Sequence, residues 1–301
     1  MKKRLIIFGV IFWLLHSLNS SAFAASYLYV AEFTGEKISR VDNIGTVTTY
    51  ATLPVGARAW DLAVGFNSNL YVTDYANNRI MQIDKLGVVT NANFATGITN
   101  PKGMTYYNNN LYVISDDNTI KKVDSTGVVS TFWAGTGATL FGITTGEVGG
   151  YTDPFYNTLG TVTRYVYSVD AGGAGAQFSN LGVNPGAFAT DLTFGPGGFL
   201  YVVDGAGNVL KIDALGNAST LYASALAPAD RGIASDGTYL YITIGGTLAR
   251  IHQDGSIDLN WAIGLNTPLG IFFGEIPEPA SILSLSMLML GWGVCFFRKK
   301  V

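Results

Sequence analysis

The chain has few of the side chains that enzymes use as nucleophiles and proton carriers. Its 301 residues include one cysteine, Cys295, and two histidines, His16 and His252. One cysteine rules out a disulfide framework. With so few histidines, a zinc site of the His/Cys kind is excluded as well. Charge is also scarce: 13% of residues are Asp, Glu, Lys or Arg, about half the usual quarter. Eighteen basic residues face 21 acidic ones. There is no cationic excess to neutralise phosphates, so nucleic acid is not an expected partner. No G-x-x-x-x-G-K-[ST] loop and no G-x-S-x-G elbow occurs, which removes the usual phosphate cradle and the usual serine hydrolase. The chain is still no disordered polymer, because 48% of it is hydrophobic and its net charge is low.

Long charge-free runs occur at the two ends. Residues 1–24 open with Lys2, Lys3 and Arg4, continue through the apolar run Leu5 to Leu15, and finish on Ala22-Phe23-Ala24. A basic start, a short apolar stretch and small residues at the cleavage positions make a secretory signal peptide, cut by signal peptidase before Ala25. At the other end, Pro277-Glu278-Pro279 precedes 18 uncharged residues, Ala280 to Phe297, and then Arg298, Lys299 and Lys300. That run is just long enough to cross a bilayer as a helix. The basic cluster stays on the cytoplasmic side, so the body lies outside.

The tail 276–301 resembles the PEP-CTERM sorting signal of Gram-negative bacteria, on the strength of Pro277, Glu278, Pro279, the apolar span and Arg298, Lys299 and Lys300. The resemblance implies recognition and removal by an exosortase. The protein would be held in the inner membrane by its C-terminal helix before processing. It would then be released or attached at the cell surface. Cys295 falls inside this tail, which leaves the exported body without cysteine. The body between the two ends carries twelve basic and twenty acidic residues, a net charge of −8. Such a domain favours cations and basic partners.

The body, 25–275, is built from one unit used six times. A line LYVAEFTGEKISRVDNIG from Leu28 recurs from Leu70, Leu111, Val166, Leu200 and Leu240. A second line falls between these copies: WDLAVG from Trp60, KGMTYY from Lys102, FGITTG from Phe141, TDLTFG from Thr190, RGIASD from Arg231 and LGIFFG from Leu269. Repeats of about 40 residues with period-2 alternation read as four-stranded β-sheets arranged in a propeller. The second line supplies strand A, L-Y-V strand B, and the following I-x-x-I-D segment strand C. A turn opened by Asp42, Asp84, Asp124, Ser179, Asp213 or His252 and closed by Gly leads to strand D. The first unit lacks a strand A, and the last stretch, Leu269 to Gly274, is a strand A without a unit. The expected fold is therefore an all-β, six-bladed propeller closed by its C-terminal strand.

The G-I/L-Y-V/N-x-I/D-x-x-G skeleton, clearest at Asp61 to Gly87 and Gly103 to Gly127, resembles the NHL-repeat and gluconolactonase-like six-bladed propellers. The resemblance implies a divalent metal near the channel mouth, calcium being the candidate. The Glu-Gly-Pro opening that the gluconolactonase family uses as a ligand is absent.

Asp61 and Asp191 begin strand A in the second and fifth units, where the other four copies have Gly. They should face one another across the central channel, as metal ligands or as ion-pair partners of Lys102 and Arg231. Glu32, Asp74, Asp170 and Asp204 are expected at the ends of strand B, as acceptors in the B–C turns. The fourth unit carries about 15 extra residues, including Tyr151, Asp153, Phe155 and Tyr156. These form either a ligand-binding loop or a segment that folds back to replace a missing outer strand. Two functions remain open. One is a binding or scaffold module for an envelope polysaccharide or protein. The other is a divalent-metal-dependent hydrolase or lactonase that uses channel carboxylates. The scarcity of catalytic groups favours the first.

Overall fold

A computed structural model describes residues 26–135, 139–146, 154–159, 163–183, 189–222 and 232–276. Segments 1–24 and 277–301 lie outside the described residues, as do Tyr151, Asp153 and Arg231. Only the backbone of Phe155 and Tyr156 is described. Among the described residues no helix is long and apolar enough to cross a membrane.

Six four-stranded antiparallel sheets make up the described body, a β-propeller. The first contains β1 (Tyr27–Glu32), β2 (Lys37–Val41) and β3 (Val47–Thr52). The second contains β4 (Ala59–Val64), β5 (Leu70–Asp74), β6 (Arg79–Ile83) and β7 (Val89–Thr96). The third contains β8 (Met104–Tyr107), β9 (Asn110–Ser115), β10 (Thr119–Val123) and β11 (Val129–Ala134). The fourth contains β12 (Thr139–Thr145), β13 (Pro154–Leu159), β14 (Thr163–Val169) and β15 (Gly175–Val183). The fifth contains β16 (Ala189–Phe194), β17 (Leu200–Asp204), β18 (Val209–Ile212) and β19 (Ala218–Tyr222). The sixth contains β20 (Ile233–Ser235), β21 (Leu240–Ile244), β22 (Thr247–Ile251) and β23 (Ile257–Ile263). The last strand, β24 (Pro268–Gly274), returns to the first sheet and pairs with β1, with Leu28 opposite Phe273 and Val30 opposite Ile271. That closure was expected from the missing first strand, and it covers an otherwise open edge.

Strand alternation explains why the sheets pack in a ring. On β1, Tyr29 and Ala31 point toward the second sheet and meet Leu62, Leu70 and Val72. Leu28 and Val30 point the other way and meet Ala234, Tyr241 and Leu248 of the sixth. Period-2 side chains thus serve two interfaces at once. Similar clusters fill the contacts between second and third, third and fourth, fourth and fifth, and fifth and sixth sheets.

The turn between third and fourth strands repeats around the ring. Asp84 Oδ1 accepts the amides of Leu86 and Val88, both at 2.9 Å. Gly87 closes this turn at φ +79°, and a Cβ there would strike the carbonyl of Tyr50 in the preceding sheet. The corresponding glycines meet Trp261, Phe94, Phe132, Phe178 and Leu221 of their own preceding sheets. Glycine is needed here for its dihedral and for the close approach.

The fourth sheet departs from the expected register. Asp170 Oδ1 accepts the amides of Gly172 and Ala174 at 2.9 and 2.8 Å, and Gly173 has φ +86°. Asp170 therefore opens the turn between third and fourth strands and does not end a second strand. Ser179 lies within β15, where its hydroxyl donates to the Gly216 carbonyl at 2.7 Å. The tyrosine-rich line from Val166 is the third strand, and Pro154–Leu159 of the extra segment supplies the second. The outer strand is present, so the segment replaces an inner-middle strand, not an outer one.

Candidate functional site

The six innermost strands surround a channel. Its narrow end is set by one equivalent position in each sheet: Gly270, Asp61, Gly103, Gly142, Asp191 and Gly232, in ring order. Four of these strands bulge at their entry, which re-aims the side chain at that point. With two sheets between them either way, Asp61 and Asp191 stand opposite one another, as expected.

The two carboxyls are held in the same way. The Met104 amide donates to Asp61 Oδ2 at 2.8 Å, and the Ile233 amide donates to Asp191 Oδ2 at 3.0 Å. Each bond runs to the next sheet. On the other side, a Cβ on Gly142 would lie 2.5 Å from Asp191 Oδ1, and one on Gly270 would collide with Asp61 Oδ1. Glycine at those positions leaves the room the carboxyls occupy. Buried threonines repeat the pattern. Thr73 Oγ1 accepts the Asp61 amide at 2.9 Å and lies 2.9 Å from the Lys102 carbonyl. Thr243 Oγ1 accepts the Gly232 amide at 2.8 Å and donates to the Leu269 carbonyl at 3.1 Å.

Burial, with the facing Asp191 charge as a second cause, holds the Asp61 carboxyl well above the usual carboxylate range. Asp191 is partly open to the lumen, yet the surrounding protein desolvates it and pushes it up to about 7. Two carboxyls that desolvation disfavours as anions can keep a proton at neutral pH. Among the described residues no group of three or more His, Cys, Asp and Glu gathers as a metal cluster. Calcium takes six to eight oxygens, and this constriction offers two carboxyls, each with one oxygen already bonded. The donor set therefore fits calcium poorly.

Lys102 is not the partner of Asp61. Its Nζ sits 2.6 Å from Asp116 Oδ1 and 4.2 Å from the centre of the Phe141 ring. The aromatic faces and Asp116 lie nearer the Lys102 ammonium, and the Asp61 carboxyl turns to the Met104 amide instead. Of the remaining acids at second-strand ends, Asp204 is the expected acceptor in its own turn, taking the amides of Ala206 and Asn208. Asp74 and Glu32 instead take amides of the linkers that enter inner strands: Asp74 the Arg58 amide at 2.9 Å, with Arg79 Nε at 2.8 Å, and Glu32 the Asn266 amide. His252 bonds Asp258 at 3.0 Å in the sixth sheet's outer turn and does not line the channel.

Above the constriction lies a small mouth lined by Trp60, Phe141, Thr190 and Leu269, with Asp61 and Asp191 as its floor. Trp60 stacks on Tyr75 with centroids 5.0 Å apart, and Phe33 meets Trp60 edge-on at 5.8 Å. Below the constriction the channel widens to a cavity of about 240 Å³, bordered by Thr105, Thr144, Thr193 and Ser235 among others. Phe33, Tyr75 and the mouth positions were not singled out from the sequence. Their signal was present, because Trp60, Lys102, Phe141, Thr190, Arg231 and Leu269 are the first letters of the six copies of one line.

No family model matches the chain, and no curated protein does. Solved structures share its fold. A chain of a nidogen–laminin complex is 16% identical with a TM-score of 0.66, over 82% of this chain and 98% of that one. A virginiamycin B lyase from Staphylococcus aureus, in a catalytically inactive form with quinupristin, is 17% identical with a TM-score of 0.60, over 85% and 94%. A gluconolactonase from Xanthomonas campestris is 13% identical with a TM-score of 0.55, over 80% and 85%. At these identities what the chain shares with them is the propeller fold.

Proposed function

We propose that this chain is an exported propeller that binds an envelope polysaccharide at the mouth of its channel, as a binding or scaffold module. One observation carries the reading. The first position of the inner-strand line holds six different residues in six copies, Trp60, Lys102, Phe141, Thr190, Arg231 and Leu269, while the next position is always Gly or Asp. A repeated frame with one varied ring is how a common scaffold presents a particular surface. Half-buried Trp60 and Phe141 offer flat apolar faces for sugar rings. A net charge of −8 on the body favours neutral over anionic polymers.

Export rests on the sequence. The signal peptide 1–24 leads the body across the inner membrane, and the Pro277-Glu278-Pro279 tail with Arg298, Lys299 and Lys300 anchors it until an exosortase removes the tail. The test of binding is titration calorimetry of the purified protein with neutral envelope glycans. Trp60→Ala should weaken binding by about tenfold, since a stacked aromatic contributes on the order of 1 kcal/mol or more. Equal binding by the variant, or none by the native chain, would remove the reading; binding of a protein surface alone would redirect it.

A second reading is supported by the raised Asp191 carboxyl. A carboxyl poised at about 7 suits general acid or base work at neutral pH. This favours a hydrolase or lactonase in which Asp61 and Asp191 themselves exchange the protons. Sugar-lactone hydrolysis that disappears in Asp61→Asn would establish it over the first.

A further inference from the structure

The propeller has two unlike faces. Each inner strand starts at the mouth and runs away from it. β24 does the same, beginning beside Asp61 at Gly270 and ending at Gly274. Glu275 and buried Ile276 therefore leave from the face opposite the mouth, where Ser26 Oγ donates to Glu275 at 3.2 Å. The turns between third and fourth strands are on this same face. Asp42 and Asn43 of the first such turn border a hollow with Ser26, Tyr27 and Phe273.

These turns carry exposed apolar tips. Ile44, Leu86 and Leu215 hold the same turn position in the first, second and fifth sheets and are 76%, 69% and 84% exposed. Val88 and Val128 follow the turn glycines of the second and third sheets and are also exposed. The turn carboxylates do not compete for that outward position, because Asp42, Asp84 and Asp213 bond the amides of their own turns. Glycine and Asp254 stand at this position in the fourth and sixth sheets, so apolar tips stand on the first, second, third and fifth sheets, spread around this face.

Where the chain leaves says what covers this face. Only residues 277–279 separate Ile276 from the 18-residue apolar run. Four residue steps span at most about 14 Å, and the polar layer of a bilayer leaflet is on the order of 5–8 Å thick. We propose that the face bearing Ile44, Leu86 and Leu215 sits on the lipid surface while the tail is in place, with the Trp60 mouth turned away from it. This rests on the reading of the tail as a membrane span. Short apolar tips at headgroup depth add area to the anchor without crossing the membrane.

The test uses the full chain with Cys295→Ser and one new cysteine, at Leu86→Cys, Leu215→Cys or, on the mouth face, Val55→Cys. Val55 is 92% exposed in the linker that leads to β4. Each variant carries a fluorophore and is reconstituted into phosphatidylcholine vesicles containing headgroup-quencher lipid. Flotation is measured first. Probes at 86 and 215 should be quenched roughly twofold or more beyond the probe at 55. Equal quenching at all three sites in floated vesicles, or stronger quenching at 55, overturns the inference and leaves the anchor intact. A chain that does not float removes the anchor and this inference together, while glycan binding at the mouth stands or falls on its own titration.

Discussion

The amide of Ile233 donates to Asp191 Oδ2 at 3.0 Å, and this bond joins the innermost strands of the fifth and sixth sheets. The Met104–Asp61 bond does the same between the second and third. The carboxyls that narrow the channel are also fasteners of the ring, so changes there read out in stability as well as in binding.

Stability should fall as pH rises from about 4 to about 7. Asp61 and Asp191 have folded-state pKa values above the ordinary 3.8. In that window the folded protein holds protons that the unfolded chain releases, and stability decreases with pH wherever the folded state binds more protons. The Asp191 contribution is complete below about pH 4 and lost as pH rises through about 7, and that of Asp61 runs in the same direction. Asp42, Asp124 and Asp213 act oppositely, because bonds to their turns hold them below 3.8, and their contribution disappears on further acidification. Calorimetry across this range should show a falling midpoint in the native chain and a flatter curve in Asp191→Asn, with a gain of about 5 °C at pH 8. An unchanged slope in the variant would contradict the buried-carboxyl assignment.

Gly142→Ala should destabilise by about 2–3 kcal/mol, because its Cβ would lie 2.5 Å from Asp191 Oδ1 and 2.7 Å from the Asp191 Cα. In an Asp191→Gly background the same change should cost less, since the carboxyl is gone. Denaturant melts of the four proteins measure that coupling. Strict additivity would show that the two positions do not meet.

Two glycines with left-handed dihedrals should respond differently to alanine. Gly56 has φ +84° with nothing near its would-be Cβ, whereas Gly87 has φ +79° with the Tyr50 carbonyl in the way. Gly56→Ala should cost about 1 kcal/mol, the dihedral penalty alone. Gly87→Ala should cost clearly more, because the second sheet must back away from the first. Similar urea midpoints for both variants would mean that the sheet-to-sheet approach is not tight.

Ending the chain after Thr267 removes β24 and bares the edge of β1. An uncovered, apolar edge invites pairing with other chains, so this protein should aggregate or lose its cooperative melt. Light scattering and circular dichroism decide the point. A monomeric, folded truncation would show that closure by β24 is dispensable.

Much of this architecture was legible because the repeat fixes it. Gly closing each turn, L-Y-V alternation and the unpaired Leu269–Gly274 strand gave the strand order and the closure. The fourth sheet was misaligned because Val166-Tyr167-Ser168-Val169 ends in an Asp and a Gly-rich turn like any third strand, yet begins like a second one. Pattern alone does not distinguish them; hydrogen-bond register does. At the site, the opposed Asp61 and Asp191 followed from counting sheets. The Lys102–Asp116 pair and the stacking of Trp60 on Tyr75 did not, because each joins the entry of an inner strand to the turn after the second strand of the same sheet, and their meeting depends on the conformation of that turn, which the repeat pattern does not fix.

The pairing of β24 with β1 has a mechanical side. Both ends of the body leave from one corner, where Ser26 meets Glu275. A pull on the tail would load the ladder at Tyr27–Gly274 first and release it rung by rung. Such unzipping yields to far less force than sliding whole strands apart. Tension at the C-terminus would therefore act on the seam and spare the rest of the wheel.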